Sequence, residues 1–431
     1  MKAVLLAGGA GTRMKGLFGD LPKPMIPVCS VPVLHRQIDV LMREGITEFV
    51  IVVGHGGETI KNYFGDGSSF GTKISYYHEK EPLGTAGALF CLELNEDFLL
   101  CGGDLIFDFS LSPMLAFHKK NKALATLFAH PNSHPFDSTC IVADSDGKIT
   151  DFIGKEDIRH FAAQNLCNAG VQIVSPKLLA MYNIKGKADF DKDVIFPAVK
   201  SGRIYAYKSY EYVKDMGTPE RLKNAERDIK NGVVESLNRS KKQRAVFLDR
   251  DGTINVYKGL ITQENDIELL PGVAKAIKSF NSMGYLSIII TNQPVIARGD
   301  CSLQKLKKIH DRLESLLGRE GAYIDGIYFC PHHPEAGFEG ECSEYKTVCD
   351  CRKPKPGLIL KAANEFNVEL GRSFMVGDSQ RDISAALNAG CVPVFVRCGA
   401  ERIVNGAKEV YDDLLSFSQS LKQKEIFYDI Q

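Results

Sequence analysis

Short apolar runs alternate with amphipathic segments along most of the 431-residue chain. In its first part, the runs Lys2–Ala7, Phe49–Val53 and Lys73–Tyr77 predict strands, and apolar residues recur at helical spacing from Val33 to Met42. Strands that alternate with helices indicate a largely parallel sheet that is covered by helices. The first part of the chain is therefore predicted to be an α/β domain.

The same alternation begins again after a polar stretch, NGVVESLNRSKKQR at 231–244, which has the composition of a linker. Helical segments are predicted beyond it, as at 303–317 and 381–388. Five further apolar runs predict the strands of a second sheet, at 245–249, 286–291, 326–330, 373–378 and 392–396. The predicted organisation is a first domain at 1–232, a linker at 233–243, a second domain at 244–424 and a C-terminal tail at 425–431.

Composition narrows the class of protein without identifying a function. A chain of this length exceeds one ordinary hydrophobic core, which agrees with two domains. Hydrophobic residues make up 44% and charged residues 25%, as in soluble globular proteins. The formal net charge is zero, which argues against nucleic acid or a membrane as a partner. The apolar run Ala3–Ala7 is too short for a signal peptide or a membrane span, so we expect a cytoplasmic protein. In that reducing compartment, cysteines are expected to be thiols or metal ligands.

The sequence LLAGGAGTR, at 5–13, follows directly on the first predicted strand. Its glycines permit positive φ and let backbone N–H groups approach a phosphate closely, and Arg13 adds a charged fork for the same phosphates. A tight turn without a ligand is the alternative, but three glycines followed by Thr12 and Arg13 favour phosphate binding. The spacing is neither that of the dinucleotide fingerprint nor that of the ATPase P-loop.

The run G-G-x-G-T-R, followed by Pro22-Lys23-Pro24, resembles the signature of the sugar-1-phosphate nucleotidyltransferases. The resemblance extends to about residue 230, with one departure at Gly103, where that family usually has asparagine. Further segments resemble its base-reading loop, its first metal-binding aspartate, its sugar and phosphate contacts, and its second metal-binding aspartate. In that order they are EPLGTAGAL (81–89), GGDLIFD (102–108), Lys155 with NAG (168–170), and KDMGTPERL (214–222).

This resemblance implies that a sugar 1-phosphate oxygen attacks the α-phosphorus of a nucleoside triphosphate and that pyrophosphate leaves. Negative charge then crowds the reacting phosphorus, so Arg13, Lys23 and a Mg²⁺ ion held by Asp104 and Asp215 would neutralise it. The implied nucleotide contacts are Leu6, Ala7, Gly8, Gly9, Gly11, Thr12, Gly84 and Thr85, and the implied sugar-phosphate contacts are Lys155, Asn168 and Gly170.

The sequence VFLDRDGTIN, at 246–255, places Asp249 at the end of an apolar run and Asp251 two residues later. A carboxylate can attack phosphorus to form an aspartyl-phosphate, and a second one can protonate the leaving oxygen and then deprotonate water. Two carboxylates repel a phosphate dianion, so this chemistry needs Mg²⁺. A strand followed by an Asp-Gly turn is the alternative that D-x-D-G alone leaves open.

The D-x-D-G-T run resembles the first motif of the haloacid dehalogenase superfamily, and three later segments resemble its other motifs in the family's order. They are IIITNQ (288–293), CRKPKPG (351–357) and VGDSQRDI (376–383). The resemblance implies phosphate binding by Thr291, Asn292, Arg352 and Lys353, and Mg²⁺ ligation by Asp249, Asp251 and Asp378, which Asp382 would support.

The stretch CPHHPEAGFEGECSEYKTVCDCRKP, at 330–354, combines four cysteines with two histidines. Its C-x-H and C-x-C spacings resemble the zinc loop of phosphatases that act on heptose bisphosphate or histidinol phosphate. The implied ligands are Cys330, His332, Cys349 and Cys351, a set that suits a closed tetrahedral structural Zn²⁺. Cys342 and His333 remain alternative ligands. The zinc would anchor the loop that carries Arg352 and Lys353.

Together the two resemblances imply tandem Rossmann-like α/β domains, the first with a mixed sheet and the second with a parallel sheet and a zinc loop. They predict a bifunctional enzyme. Its phosphatase would convert heptose 1,7-bisphosphate to heptose 1-phosphate, and its transferase would join that product to a nucleotide, with GTP favoured and other bases left open. The alternative is a hexose-1-phosphate nucleotidyltransferase, for example for mannose 1-phosphate, fused to a histidinol-phosphate-type phosphatase. Zero net charge argues against a phosphatase for nucleic-acid ends.

Overall fold

The computed structural model describes residues 1–9, 15–154, 163–399 and 401–428. The chain divides into two compact units. The first consists of Met1–His130, Ile141–Ile153 and Cys167–Asn238, and the second of Pro131–Cys140, Gly154–Leu166 and Arg239–Gln431. Within the described ranges, no helix combines the length and the apolar character that a membrane span needs.

The first unit is built on short strands and helices that alternate along the chain. The strands that the structure describes are β1 (Ala3–Ala7), β2 (Pro27–Val28), β3 (Val31–Pro32), β4 (Glu48–Val53), β5 (Lys73–His78), β6 (Phe98–Gly102), β7 (Leu105–Asp108), β8 (Ala125–His130), β9 (Cys140–Ala143), β10 (Ile149–Ile153), β11 (Cys167–Val174), β12 (Ile204–Lys208) and β13 (Tyr212–Asp215). The α-helices are α1 (Lys15–Phe18), α2 (Val33–Arg43), α3 (Gly57–Phe64), α4 (Leu111–Lys120), α5 (Pro176–Leu179), α6 (Phe196–Ala198), α7 (Pro219–Lys230) and α8 (Val233–Ser236).

The main sheet of this unit is mixed, as predicted. Its order is β10-β9-β11-β6-β1-β4-β5, and β8 pairs with β11 and with β12. The central strands β6, β1, β4 and β5 are parallel, whereas β11 is antiparallel to both β6 and β8. Within this parallel part, β1 and most of β4 are buried on both faces, which explains why they read as nearly continuous apolar runs.

The parallel strands determine where a ligand can bind in this unit. Helix α2 packs Leu34, Ile38 and Leu41 into the same core as Leu5 and Ile51, so one face of the sheet is covered. At the carboxyl ends of parallel strands, the chain turns away and leaves a crevice. Here the loops after β1, β4, β5 and β6 meet at one edge, and the glycine-rich loop is among them.

The second unit contains one parallel sheet with helices between its strands. The strands are β14 (Ala245–Leu248), β15 (Leu286–Asn292), β16 (Gly326–Cys330), β17 (Phe374–Gly377), β18 (Val392–Val396) and β19 (Glu409–Tyr411). The α-helices described here are α9 (Val273–Ser282), α10 (Leu303–Arg319), α11 (Gly357–Glu365), α12 (Gln380–Ala389) and α13 (Leu414–Tyr428). The strand order is β16-β15-β14-β17-β18-β19, and every pair is parallel.

This parallel sheet confirms the predicted fold class and gathers the predicted motifs. Asp249, Asn292, Cys330 and Asp378 lie at or directly after the carboxyl ends of β14, β15, β16 and β17. Because these strands are neighbours in the sheet, their carboxyl ends form one edge. Residues far apart in sequence are therefore brought to a single crevice.

Candidate active sites

A cavity of about 640 Å³ opens at the carboxyl edge of the first sheet. Its volume is that of a site for a small molecule. Ala7 is buried at the end of β1. The sequence-predicted residues that line the cavity are Leu6, Gly8, Gly9, Lys23, Gly84, Thr85 and Asp104. Gly11, Thr12, Arg13 and Lys155 lie outside the described residues.

Gly103 departs from the family pattern, and the local structure explains why this position is a glycine. Its N–H donates to the carbonyl oxygen of Leu6 at 3.0 Å, so the loop after β6 lies directly on β1. A Cβ at this position would lie 2.7 Å from the same oxygen and 3.2 Å from Cγ of Pro24. The glycine therefore allows the close approach that places Asp104 at the cavity wall.

Asp104 and Asp215 are brought to neighbouring positions by the antiparallel pairing of β7 with β13, and Met216 N donates to Asp104 O at 3.1 Å. Each carboxylate has a cationic partner. Lys23 Nζ contacts Asp104 Oδ2, and Arg221 Nη1 lies 2.8 and 2.9 Å from the two oxygens of Asp215. Carboxylate oxygens are the ligands that Mg²⁺ prefers. The sequence did not indicate Arg221, because an arginine in a first helical turn is usually a solvated residue.

Of the predicted sugar contacts, Asn168 and Gly170 lie on β11, outside the lining of this cavity. Asn168 Nδ2 donates to Asp191 Oδ1 at 3.2 Å, and its Oδ1 accepts from Gly170 N at 3.1 Å. The pKa of Asp191 is raised to about 6, mainly by burial and also by the charge of the neighbouring Asp189, while the hydrogen bond from Asn168 lowers it. Asn168 and Asp191 thus form a polar pair beside the strand, and the sequence indicated only the first of them.

Glu79 also lines the cavity, although sequence reasoning did not single it out. It follows β5 directly and is only 9% exposed. Burial raises the pKa of its carboxyl group, while a hydrogen bond from Leu83 N, at 3.3 Å, lowers it. A signal was present in the sequence, because a glutamate directly after a strand and before the predicted base-reading loop faces the crevice.

In the second unit, Lys353 lies at the centre of a buried group of carboxylates. Its Nζ lies 2.6 Å from Asp249 Oδ1 and 2.6 Å from Asp382 Oδ1, and it donates to Ile290 O at 2.8 Å. Asp249, Asp378 and Asp382 each bring a carboxylate oxygen within 4.8 Å of the others, and all three are buried. Three carboxylates against one ammonium leave a local negative charge, which fits a divalent cation.

The electrostatics of Asp249 reflect this crowding. The pKa of Asp249 is raised to about 7, mainly by burial and also by the charges of Asp382 and Asp378, against the opposing effect of Lys353. The Asp378 carboxylate is enclosed by two glycines, since a Cβ at Gly252 or Gly399 would lie 2.5 or 1.7 Å from its Oδ2. The fold therefore forces these charges together, and a cation is needed to compensate them.

Asp251 stands apart from that group, although the sequence placed it among the Mg²⁺ ligands. Its carboxylate accepts from Arg250 Nη2 at 3.0 and 2.8 Å, from Asn255 Nδ2 at 3.0 Å and from Gln293 Nε2 at 2.9 Å. Arg250 is fully buried and also contacts His310 Nε2 at 3.3 Å. The metal-competent group contains Asp382 where Asp251 was expected. These hydrogen bonds hold the carboxylate of Asp251 in one orientation.

The predicted phosphate-binding residues connect the end of β15 to the Lys353 loop. Asn292 Nδ2 donates to Lys353 O at 3.1 Å, and Lys353 N donates to Asn292 Oδ1 at 3.0 Å. Thr291 Oγ1 accepts from Gln293 Nε2 at 2.9 Å. Arg352 Nη1 donates to His332 O at 3.1 Å. Asn292 thus holds the backbone of Lys353, a role that sequence alone does not reveal.

Cys330, His332, Cys349 and Cys351 form the second metal-competent group, with donor atoms within 4.8 Å of one another. The Sγ of Cys351 lies 3.2 Å from each of the other two Sγ atoms and 3.2 Å from His332 Nδ1. A tetrahedron with Zn–S bonds of about 2.3 Å has edges of about 3.8 Å, so the group has nearly the size that Zn²⁺ requires. It does not include the alternatives Cys342 and His333. All 12 cysteines are free.

Comparisons with known proteins find a different enzyme family for each half of the chain. The model of the nucleotidyl transferase family matches residues 2–232, and that of the HAD-hydrolase-like family matches residues 350–415. D-glycero-beta-D-manno-heptose-1,7-bisphosphate 7-phosphatase from Haemophilus ducreyi is 41% identical over 169 residues, which cover 39% of this chain and 90% of that protein. The enzyme of the same name from Escherichia coli K12 is 36% identical over 185 residues, which cover 42% and 95%.

Solved structures include relatives of each half. The D,D-heptose 1,7-bisphosphate phosphatase of B. bronchiseptica, solved with magnesium and phosphate, is 31% identical with a TM-score of 0.37 and covers 42% of this chain and 99% of its own. HddC from Yersinia pseudotuberculosis is 24% identical with a TM-score of 0.46 and covers 53% and 99%. The chain thus belongs to the nucleotidyl transferase family and, through its second half, to the family of heptose-bisphosphate phosphatases, which makes it a bifunctional nucleotidyltransferase and phosphomonoesterase.

Proposed function

We propose that the chain catalyses two consecutive steps in the biosynthesis of GDP-D-glycero-D-manno-heptose. The second unit removes the 7-phosphate of heptose 1,7-bisphosphate. The first unit then transfers GMP from GTP to heptose 1-phosphate and releases pyrophosphate. The observation that carries this proposal is the pairing of the two families in one chain, because the phosphatase product is a sugar 1-phosphate of the kind that the transferase consumes.

In the phosphatase, Asp249 is the nucleophile. Lys353 holds its Oδ1, and the other carboxylate oxygen is left to attack the phosphorus and form the aspartyl-phosphate. Arg250, Asn255 and Gln293 hold Asp251 in one orientation, from which it protonates the leaving sugar oxygen and then deprotonates water. Thr291, Asn292, Arg352 and Lys353 bind the phosphate. Asp249, Asp378 and Asp382 would hold Mg²⁺, which supplies positive charge at the reacting phosphate.

In the transferase, no covalent intermediate with the protein is required, because positioning and charge neutralisation are sufficient. Lys23 at the cavity wall and Arg13 neutralise the phosphates, and Asp104 and Asp215 would hold Mg²⁺. Residues of the glycine-rich loop and of the loop at 84–85 bind the nucleotide. Lys155, Asn168 and Gly170 bind the sugar phosphate.

The proposal also includes the organisation of the chain. The catalytic domains are 1–232 and 244–424, with a linker at 233–243 and a tail at 425–431. Support comes from the family match, which ends at residue 232, and from β14, which begins at Ala245. Helix α8 lies within the linker. A structural Zn²⁺ held by the Cys330 group and a cytoplasmic location complete the proposal.

Incubation of the purified protein with heptose 1,7-bisphosphate, GTP and Mg²⁺ should yield GDP-heptose, phosphate and pyrophosphate. Mass spectrometry of the sugar nucleotide and assays of both released anions measure this outcome. Parallel reactions with ATP, CTP or UTP, with mannose 1-phosphate and with histidinol phosphate should be slower. A higher kcat/KM for mannose 1-phosphate or for histidinol phosphate would show that the corresponding unit has a different substrate.

Substitution of Gly252 by alanine should impair the phosphatase by about 10- to 100-fold, because the new methyl group displaces Asp378. Gly252 has φ +87°, so alanine also costs about 1–2 kcal/mol of stability. Gly259→Ala is the matched control, since Gly259 has φ +74° but no atom within 4 Å of an added Cβ. Both variants should lose similar stability in thermal unfolding. Equal phosphatase kcat/KM values in the two would contradict the assignment of Asp378.

A further inference from the structure

We propose that His310 is a positioning residue of the phosphatase. Its imidazole holds the guanidinium of Arg250, and Arg250 in turn holds the carboxylate of Asp251 in the orientation from which a proton is transferred. This inference rests on the proposed role of Asp251 as general acid and base. It extends that role to a residue on α10, which lies 60 residues after Arg250 in the sequence.

Arg250 is a fully buried cation, and each nitrogen of its guanidinium has a partner. Nε donates to Asp251 Oδ1 at 3.1 Å. Nη2 donates to Asp251 Oδ2 at 2.8 Å and to Gln293 Oε1 at 3.1 Å. Nη1, the nitrogen that Asp251 does not engage, donates to His310 Nε2 at 3.3 Å. Since a buried charge needs hydrogen bonds in place of water, His310 supplies one that the carboxylate cannot.

The shape of the guanidinium gives this contact its effect. The group is planar, so the bonds from Nε and Nη2 join it to the Asp251 carboxylate as one flat unit. Those two bonds alone leave the unit free to tilt. A partner at Nη1 restrains the remaining corner of the guanidinium. Without it, the carboxylate turns away from the leaving oxygen, whereas the Lys353 and Asp249 ion pair stays in place.

The protonation state of His310 agrees with this role. The residue is 6% exposed, and its pKa lies well below the ordinary value for histidine, first because of burial and then because of the charges of Arg250 and Lys307. The imidazole is therefore neutral and has one acceptor nitrogen. Because Nε2 accepts from Arg250, the proton lies on Nδ1. A protonated imidazolium has donors only and could not hold a guanidinium.

Helix α10 gives His310 a fixed place. Leu306, Ile309 and Leu313 lie on the same helix and are buried in the core of the second unit. The His310 ring also packs against the ring of Phe329 on β16, with centroids 5.7 Å apart and planes inclined by 56°. A helix packed in this way positions a side chain more precisely than a loop does. The helix therefore provides a rigid support for the pair of Arg250 and Asp251.

The test compares kcat/KM for two phosphate esters that differ in their need for an acid. Heptose 1,7-bisphosphate releases a sugar oxygen that must take up a proton, whereas p-nitrophenyl phosphate releases a stabilised phenolate that leaves without one. His310→Leu removes the acceptor. It should lower kcat/KM for the bisphosphate by about 10- to 100-fold, a part of the roughly 10²- to 10⁴-fold that general acid catalysis contributes. For p-nitrophenyl phosphate, kcat/KM should stay within about threefold of the wild type.

His310→Gln should restore the wild-type ratio of the two kcat/KM values, because the amide oxygen of its longer side chain can accept from Arg250. His310→Asn has an amide that is one methylene shorter, and it should behave as His310→Leu does. Phe329→Leu is the matched control, since it removes the ring contact of His310 and keeps the acceptor. It should lower the unfolding temperature and leave the ratio unchanged.

Thermal unfolding checks that each variant is folded. The inference is overturned if His310→Leu and His310→Asn keep wild-type kcat/KM values, lose activity equally with both esters, or match His310→Gln. Asp251→Asn is the reference variant, and an equal loss with both esters in it would refute the proposed role of Asp251 itself. A wild type that prefers histidinol phosphate to the bisphosphate would change the proposed substrate only. Histidinol is also an alcohol leaving group, so the same ratio would then test His310 with that ester.

Discussion

Replacing Asp249 with asparagine should abolish phosphate release from heptose 1,7-bisphosphate, by at least about 10⁴-fold, and leave nucleotidyl transfer to heptose 1-phosphate unchanged. The amide of asparagine is not a nucleophile towards phosphorus, so no aspartyl-phosphate forms. The change is nearly isosteric, and Lys353 keeps its ion pair with Asp382, so the fold of the second unit should persist. Single-turnover assays of phosphate release measure the effect.

A variant of the transferase site completes this experiment. Asp104→Asn should lose GDP-heptose formation, because it removes charge beside Lys23, and it should accumulate heptose 1-phosphate from the bisphosphate. Asp300→Asn is the control for the phosphatase, since Asp300 is an exposed residue that does not belong to the carboxylate group. Phosphate release by Asp249→Asn at the rate of the Asp300 variant would refute the nucleophile assignment. Loss of both activities in either variant would contradict the independence of the two sites.

Most strands of the parallel regions could be predicted from sequence, because the central ones are buried on both faces, but β6 and the short edge strand β19 were not predicted. The run 286–291 became β15 (Leu286–Asn292), and the helical pattern at 303–317 became α10 (Leu303–Arg319). The antiparallel part of the first sheet was not placed strand by strand. Polar residues and glycine interrupt its strands, as in β10, which reads Ile-Thr-Asp-Phe-Ile, and in β11, which begins Cys-Asn-Ala-Gly, so these strands give no continuous apolar signal.

The motifs placed the active-site residues at strand ends, but they did not predict the partners of each side chain. Asp382 joins Asp249 and Asp378, whereas Asp251 turns to Arg250. Which of two nearby aspartates enters the group depends on side-chain rotamers and on neighbours supplied by distant segments. Arg250 did carry a signal, since an arginine between two aspartates at the end of a buried strand needs an ionic partner.

Loss of zinc should have the next largest effect, and Cys349→Ser is the variant that tests it. Three thiolates and one imidazole bind Zn²⁺ with about 10–16 kcal/mol in zinc-finger peptides, so removing one ligand should lower metal occupancy strongly. A metal held by this group would join the end of β16, through Cys330, to the segment that carries Arg352 and Lys353. We therefore expect the second unit to unfold at lower temperature and its phosphatase kcat/KM to fall by at least about tenfold.

Cys342→Ser is the control that separates the loss of a zinc ligand from a general effect of losing a thiol. Cys342 belongs to the same loop, is similarly exposed and lies outside the four-residue group. It should retain one zinc per chain by elemental analysis, together with wild-type stability and activity. Nucleotidyl transfer should survive in both variants, since the group lies wholly in the second unit. Zinc-free wild-type protein after purification from zinc-supplemented medium would remove the metal from the proposal. Equal zinc content in the two variants would show that the fourth ligand is a residue other than Cys349. Equal phosphatase activity in the two variants, despite zinc loss in Cys349→Ser, would show that Asn292 and the carboxylate partners alone position Lys353.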